Sequence, residues 1–195
     1  MSDRGRENEG PQPDPLAYFL TWSTYGTWLP GDERGWIEYR RGWQLPDSTR
    51  KLEAEAQMTE DACVLTAEQR QIVEATIAEH CRIRNWMLHA VNCRSNHLHV
   101  VVTAPGYHPD VVREQFKAWC TRKLKEHVQA TDTNPTRKRG SDTTATRKRV
   151  PNTNPTRQRG SPLREQWWAE RGSKRYINSP EDLEAAILYV RDGQD

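Results

Sequence analysis

From Leu16 to Leu29 the chain reads LAYFLTWSTYGTWL, an aromatic and β-branched run closed by Pro30 and Gly31, which predicts a central strand. Asp32 to Val64 has no sustained period and reads as a long excursion with a short helix near Lys51 to Met58. Thr66 and Gln69 form a capping-box pattern. It opens a helix with Ile72, Val73, Thr76, Ile77, His80 and Cys81 at helical spacing. Trp86 to Asn92 and His97 to Thr103 read as strands joined by a turn, Cys93 to Asn96. Pro109 begins a helix expected to turn Val112, Phe116, Trp119, Cys120 and Leu124 inward and Arg113, Lys117, Arg122 and Lys125 mostly outward. Gln166 to Ile177 reads as a strand broken by Arg171, Gly172 and Ser173. Ser179, Pro180, Glu181 and Asp182 then cap a last helix with Leu183, Ala186, Ile187 and Val190 as its buried stripe.

This order, β, long loop, α, β, β, α, insertion, β, α, predicts an α+β ferredoxin-like βαββαβ sandwich with an added C-terminal helix. The 195 residues suffice for one domain, placed at 16–195 after a polar, Pro-rich arm at 1–15 expected to be disordered. The insertion, 132–161, is a ten-residue repeat: DTNPTRKRGS from Asp132, DTTATRKRVP from Asp142 and NTNPTRQRGS from Asn152. It has no apolar face and is expected to be disordered. Its charge changes the electrostatic picture. Asn134 to Gly160 alone carries +7, so the overall +2 leaves −5 for the rest of the chain. Two readings stand for the repeats, an electrostatic tether for phosphates and an expansion tolerated in a loop.

No apolar run reaches the ~18 residues of a membrane span, and the start lacks the pattern of a signal peptide. Cys63, Cys81, Cys93 and Cys120 form no CxxC pair and are expected as reduced thiols in a cytoplasmic protein. The alternative is a zinc site joining Cys93 to His89 or His97.

Candidate chemistry is concentrated in Asn96-His97-Leu98-His99. On a strand His97 and His99 share one face, about 7 Å apart along the backbone, and Leu98, Val100 and Val102 the other. Such a pair can chelate one divalent ion, whereas incidental histidines on a half-exposed strand would look the same in sequence. Tyr189 flanks the buried stripe of the last helix, with Asp192 one turn beyond. A flanking Tyr is either rim packing or a nucleophile whose tip reaches the sheet.

Together, the His-x-His preceded by Asn, the basic helix VREQFKAWCTRKLKEH and the late YVRDGQ helix resemble the HUH single-tyrosine transposases, a group that includes the insertion-sequence and REP-associated tyrosine transposases. The resemblance implies a metal-dependent endonuclease and strand transferase that cuts single-stranded DNA near hairpins, leaving a 5′-phosphotyrosine and a free 3′-OH. It implies Tyr189 as nucleophile, and His97 and His99 as ligands of Mg²⁺ or Mn²⁺. A third ligand would lie about one turn after the Tyr. That position holds Gly193, which leaves Asp192 and Gln194 as candidates. Arg113, Lys117, Arg122 and Lys125 are the expected DNA contacts. The partner is then single-stranded DNA flanked by hairpins, in a nucleoid-associated protein without membrane contact, and a homodimer is allowed.

Two other functions compete. A non-catalytic single-stranded nucleic-acid-binding module would stack bases on Trp22, Trp28, Trp167 or Trp168. A zinc hydrolase or deaminase would use the histidines with a cysteine, although the H-x-E and C-x-x-C pattern of nucleobase deaminases is absent.

Overall fold

A computed structural model describes residues 14–38, 41–132 and 164–193. The arm through residue 13, the repeats from residue 133 onward and Gln194 lie outside the described residues. The elements in chain order are β1 (Ala17–Ser23), β2 (Trp36–Glu38), β3 (Gly42–Gln44), α1 (Ser48–Ala56), α2 (Ala67–Arg84), β4 (Met87–Cys93), β5 (His97–Thr103), α3 (Pro109–Asp132), β6 (Ser173–Ile177) and α4 (Pro180–Asp192). β2 and β3 form a separate hairpin within the 32–64 excursion, and α1 buries no residue.

The main sheet has the order β4-β5-β1-β6, with every neighbouring pair antiparallel. Numbered among themselves, its strands lie second, third, first, fourth, with α2 and α3 in the two crossovers: the expected α+β ferredoxin-like sandwich. Period-two alternation splits the sheet chemically. Tyr18, Leu20 and Trp22 of β1 and Leu98, Val100 and Val102 of β5 face Val73, Ile77 and Cys81 of α2 and Val112, Phe116, Cys120 and Leu124 of α3. Trp22, 1% exposed, stacks against Phe116 at the centre of this layer. The other face buries a smaller cluster, Ala17, Val101 and Ile177 under Ala186 and Val190 of α4. α4 covers only part of that face.

Local signals set the helix ends. Thr66 and Gln69 make the reciprocal capping box, and Ser179 accepts from the Asp182 amide ahead of Pro180. β1 is shorter than its aromatic run because the chain leaves the sheet at Thr24, which bridges to Trp168, and turns at Gly26 with φ +71°. β6 likewise starts only at Ser173. Before it, Gly172 presses so closely on the Thr21 carbonyl that a Cβ there would collide with backbone. All four cysteines are free and buried. No helix among the described residues is long and apolar enough to cross a membrane.

His80 is enclosed by Trp86, Phe116 and Trp119, with Nε2 against the Gln115 amide oxygen. Burial lowers its affinity for a proton, and burial does the same at His89. The unfolded chain binds those protons near pH 6.5 and the folded chain only at lower pH. Stability is therefore fully present above about pH 6.5 and lost as pH falls through the folded pKa values. The melting temperature should be lower at pH 5 than at pH 7, by roughly 2–4 °C for each kcal/mol lost. His80→Leu should flatten that dependence; an unchanged profile in calorimetry would contradict it.

Candidate active site

The face only partly covered by α4 holds the two histidines. β5 is pinned between β4 and β1, with His97 opposite Ser23 and His99 opposite Thr21 and Asn92. The rings of His97 and His99 stand 4.9 Å apart, centroid to centroid, and nearly perpendicular. Each has its Nδ1 engaged: His97 with Asn96 Oδ1 at 2.7 Å, His99 with Thr21 Oγ1 at 2.8 Å. With Nδ1–H as the donor to these oxygens, each ring would keep its Nε2 lone pair for a ligand, the tautomer that metal-ligating histidines require. His99 also stacks on Phe19, at 5.5 Å. Burial foremost, then the charges of His97 and Arg94, push its pKa down to about 4. Near neutral pH it is an uncharged imidazole, the form that ligates a metal.

Tyr189 reaches this pair from α4. Its ring lies 5.7 Å from that of His99 and 5.9 Å from that of Phe19, edge-on to both, and the residue is 48% exposed. Asn92 fixes the turn that carries it: Nδ2 donates to the Val190 carbonyl at 2.9 Å, and the Gly193 amide closes on the Tyr189 carbonyl. The phenol is held at its base and open at its tip.

No family model matches this chain, and no curated protein does. Among solved structures it is similar to one of a REP-associated tyrosine transposase bound to a REP hairpin, with a TM-score of 0.45 and 14% identity over 97% of this chain and 70% of that one. The likeness is distant.

The structure places the rings of Tyr189 and His97 each beside that of His99. Among the described residues no three of His, Cys, Asp or Glu stand together as a metal group, so Asp192 does not close one with the pair. Cys93 is buried, with its thiol directed at the Arg94 carbonyl. Tyr176, the next phenol along the chain, lies on the opposite face against Tyr18.

Two of the four expected DNA contacts need correcting. Arg113 and Lys117, expected to point outward, are 7% and 6% exposed. Arg113 pairs with Asp110 and donates to the Gly172 carbonyl; Lys117 donates to the Ala169 and Glu170 carbonyls. They flank the apolar stripe of α3 on the side that the 169–172 segment covers, so they tie down the approach to β6. Arg122 is exposed, with its guanidinium over Trp119, and Lys125 pairs with Glu165. Trp119 itself, expected inward, is 38% exposed. The stacking platforms of the binding-module reading fare worse. Trp22, Trp167 and Trp168 are core residues, and only Trp28 is exposed, with its Nε1 donating to the Gly35 carbonyl.

Sequence reasoning missed Thr21, Phe19 and Asn92. Only the period of β1 could have pointed to the first two, by placing them on the polar face of their strand. The Thr21 hydroxyl gives a direct test. Thr21→Val keeps the shape and removes the hydrogen bond, and on the metal-ligand reading of the pair it should weaken Mn²⁺ binding by about 10–100-fold. Calorimetric titration checks this; an unchanged affinity would mean that His99 needs no such support.

Proposed function

We propose that this protein is a divalent-metal-dependent single-strand DNA nuclease and strand transferase, with Tyr189 as its nucleophile. The observation that supports it most is the convergence of a half-exposed phenol and two imidazoles on one open sheet face. A rim tyrosine filling space would not need its turn clamped by Asn92, nor two histidines with their Nδ1 atoms engaged beside it.

The ion we propose is Mg²⁺ or Mn²⁺, held weakly by two imidazoles and completed by oxygen donors. His97 and His99 would hold the ion through Nε2, and the amide of Gln194, which resembles the family's choice, is the third protein ligand we propose in place of Asp192. When bound, such an ion draws charge from a phosphodiester and fixes its orientation. The protein's own step belongs to Tyr189. Its Oη attacks phosphorus, forming the Tyr–O–P bond while the bond from phosphorus to the 3′ oxygen breaks. The proton lost from the phenol balances the one gained by the leaving 3′-OH. The 5′ phosphate stays on the protein and the other strand end is free. Phenolate is itself a good leaving group, so a 3′-OH can reverse the step, as strand transfer requires.

Incubating the protein with labelled, hairpin-bearing single-stranded DNA and Mn²⁺ should give a denaturant-resistant protein–DNA adduct that EDTA abolishes. Binding without any adduct would favour a non-catalytic DNA-binding protein.

A further inference from the structure

The face that carries the histidines continues past β1 onto the edge strand β6. The register sets Arg175 opposite Phe19, and Ile177, two residues on, packs in the cluster beneath α4. Arg175 therefore stands on the same face as His97 and His99. Its neighbours stand on the other: Lys174 pairs with Asp110, and Tyr176 meets Tyr18. The Arg175 guanidinium lies 5.7 Å from the centre of the Phe19 ring. That ring is the one stacked on His99 and met edge-on by Tyr189. Arg175 is exposed and makes no ion pair among the described residues.

A cation parked on an aromatic face beside a reactive phenol needs a reason. Arg113, Lys117 and Lys174 nearby are all matched by acids or carbonyls, and Arg175 is matched only by a ring. The ring shields one side of the guanidinium and fixes its position while its charge faces solvent. By register Arg175 lies across from Val101, two strands away from β5 and two residues along it from His99, about 12 Å between backbones. That spacing suits the phosphate beside the one under attack rather than the same phosphate.

We propose that Arg175, seated on Phe19, is a phosphate-binding residue that grips the backbone of a single DNA strand next to the bond Tyr189 attacks. The place of this phosphate next to the scissile bond rests on the nuclease reading, whereas its binding by Arg175 does not. A planar guanidinium can take two oxygens of one phosphate, so lysine at this place should substitute only partly.

The test uses the full chain and a labelled, mixed-sequence single strand of about 20 nucleotides, read by anisotropy without metal over about 50–200 mM salt. Arg175→Ala should weaken binding several-fold at the low-salt end and reduce the log–log salt slope by about 0.7, one phosphate contact. Arg175→Lys should keep the slope and recover part of the affinity. Lys174→Ala, the neighbouring cation on the opposite face, should keep the slope. Adduct formation on hairpin DNA with Mn²⁺ should fall about tenfold in Arg175→Ala, with circular dichroism unchanged. An unaltered slope in Arg175→Ala overturns the proposal. If that slope changes and no adduct ever forms, the phosphate site stands and the nuclease reading fails. If the adduct forms and Arg175→Ala matches the parent protein in slope and rate, the phosphate site alone fails.

Discussion

Tyr189→Phe should abolish the covalent DNA adduct, a loss on the order of 10³-fold or more, as removal of a nucleophile typically gives. Only the phenolic oxygen disappears. The ring keeps its edge-on contacts with His99 and Phe19, and Asn92 still holds the Val190 carbonyl, so α4 should stay docked. Affinity for single-stranded DNA should remain within about threefold, since ring packing, not the hydroxyl, carries the local geometry. Denaturing gel electrophoresis and anisotropy read the two quantities separately. A surviving adduct would move the nucleophile elsewhere, and Tyr176 is badly placed to replace it, being on the opposite face of the sheet.

His97→Ala and His99→Ala come next in size, and they should differ in a way that a surface role would not produce. Each should lower Mn²⁺ affinity by about 100-fold or more, beyond the effect of losing a supporting hydrogen bond, and remove metal-dependent cleavage. His97 is half-buried at the start of β5, and its loss should leave the fold intact. His99 is 8% exposed, stacked on Phe19 and bonded to Thr21, so its replacement by Ala also opens a hole. A stability loss of about 1–3 kcal/mol is expected there. Metal titration together with thermal melts separates the two. Full cleavage by either variant would remove that histidine from the site.

Much of this arrangement is written in short-range patterns. His97 and His99 share a face because β5 alternates, and β5 alternates because Leu98, Val100 and Val102 need the α2/α3 layer. The caps at Thr66 and Ser179 need only four residues each to be read, 66–69 and 179–182. What stayed hidden depends on which distant segment covers a surface. Arg113 and Lys117 occupy positions that would be solvated if the 169–172 carbonyls did not arrive above them. Trp119 looked like a core residue by spacing, but it sits at the rim with Arg122 across it. Phe19, Thr21, Asn92 and Arg175 come to this face through strand register, which pairs residues as far apart in the chain as Phe19 and Arg175, 156 positions (175 − 19). No local period encodes that. The repeats and Gln194 lie outside the described residues, so the tether reading and Gln194 as third ligand rest on sequence alone.

The central claim is chemical, that Tyr189 Oη becomes the acceptor of a 5′ phosphate. The measurement that reaches it most directly is peptide mapping of the adduct formed with Mn²⁺ and hairpin-bearing single-stranded DNA. After nuclease trimming and tryptic cleavage, the peptide spanning 176–191 holds both Tyr176 and Tyr189, and fragmentation assigns the nucleotide between them. The predicted result is a nucleotide joined through its 5′ phosphate to Tyr189, with a free 3′-OH on the released strand. A nucleotide on any other residue, or cleaved DNA with nothing attached to the protein, would contradict it.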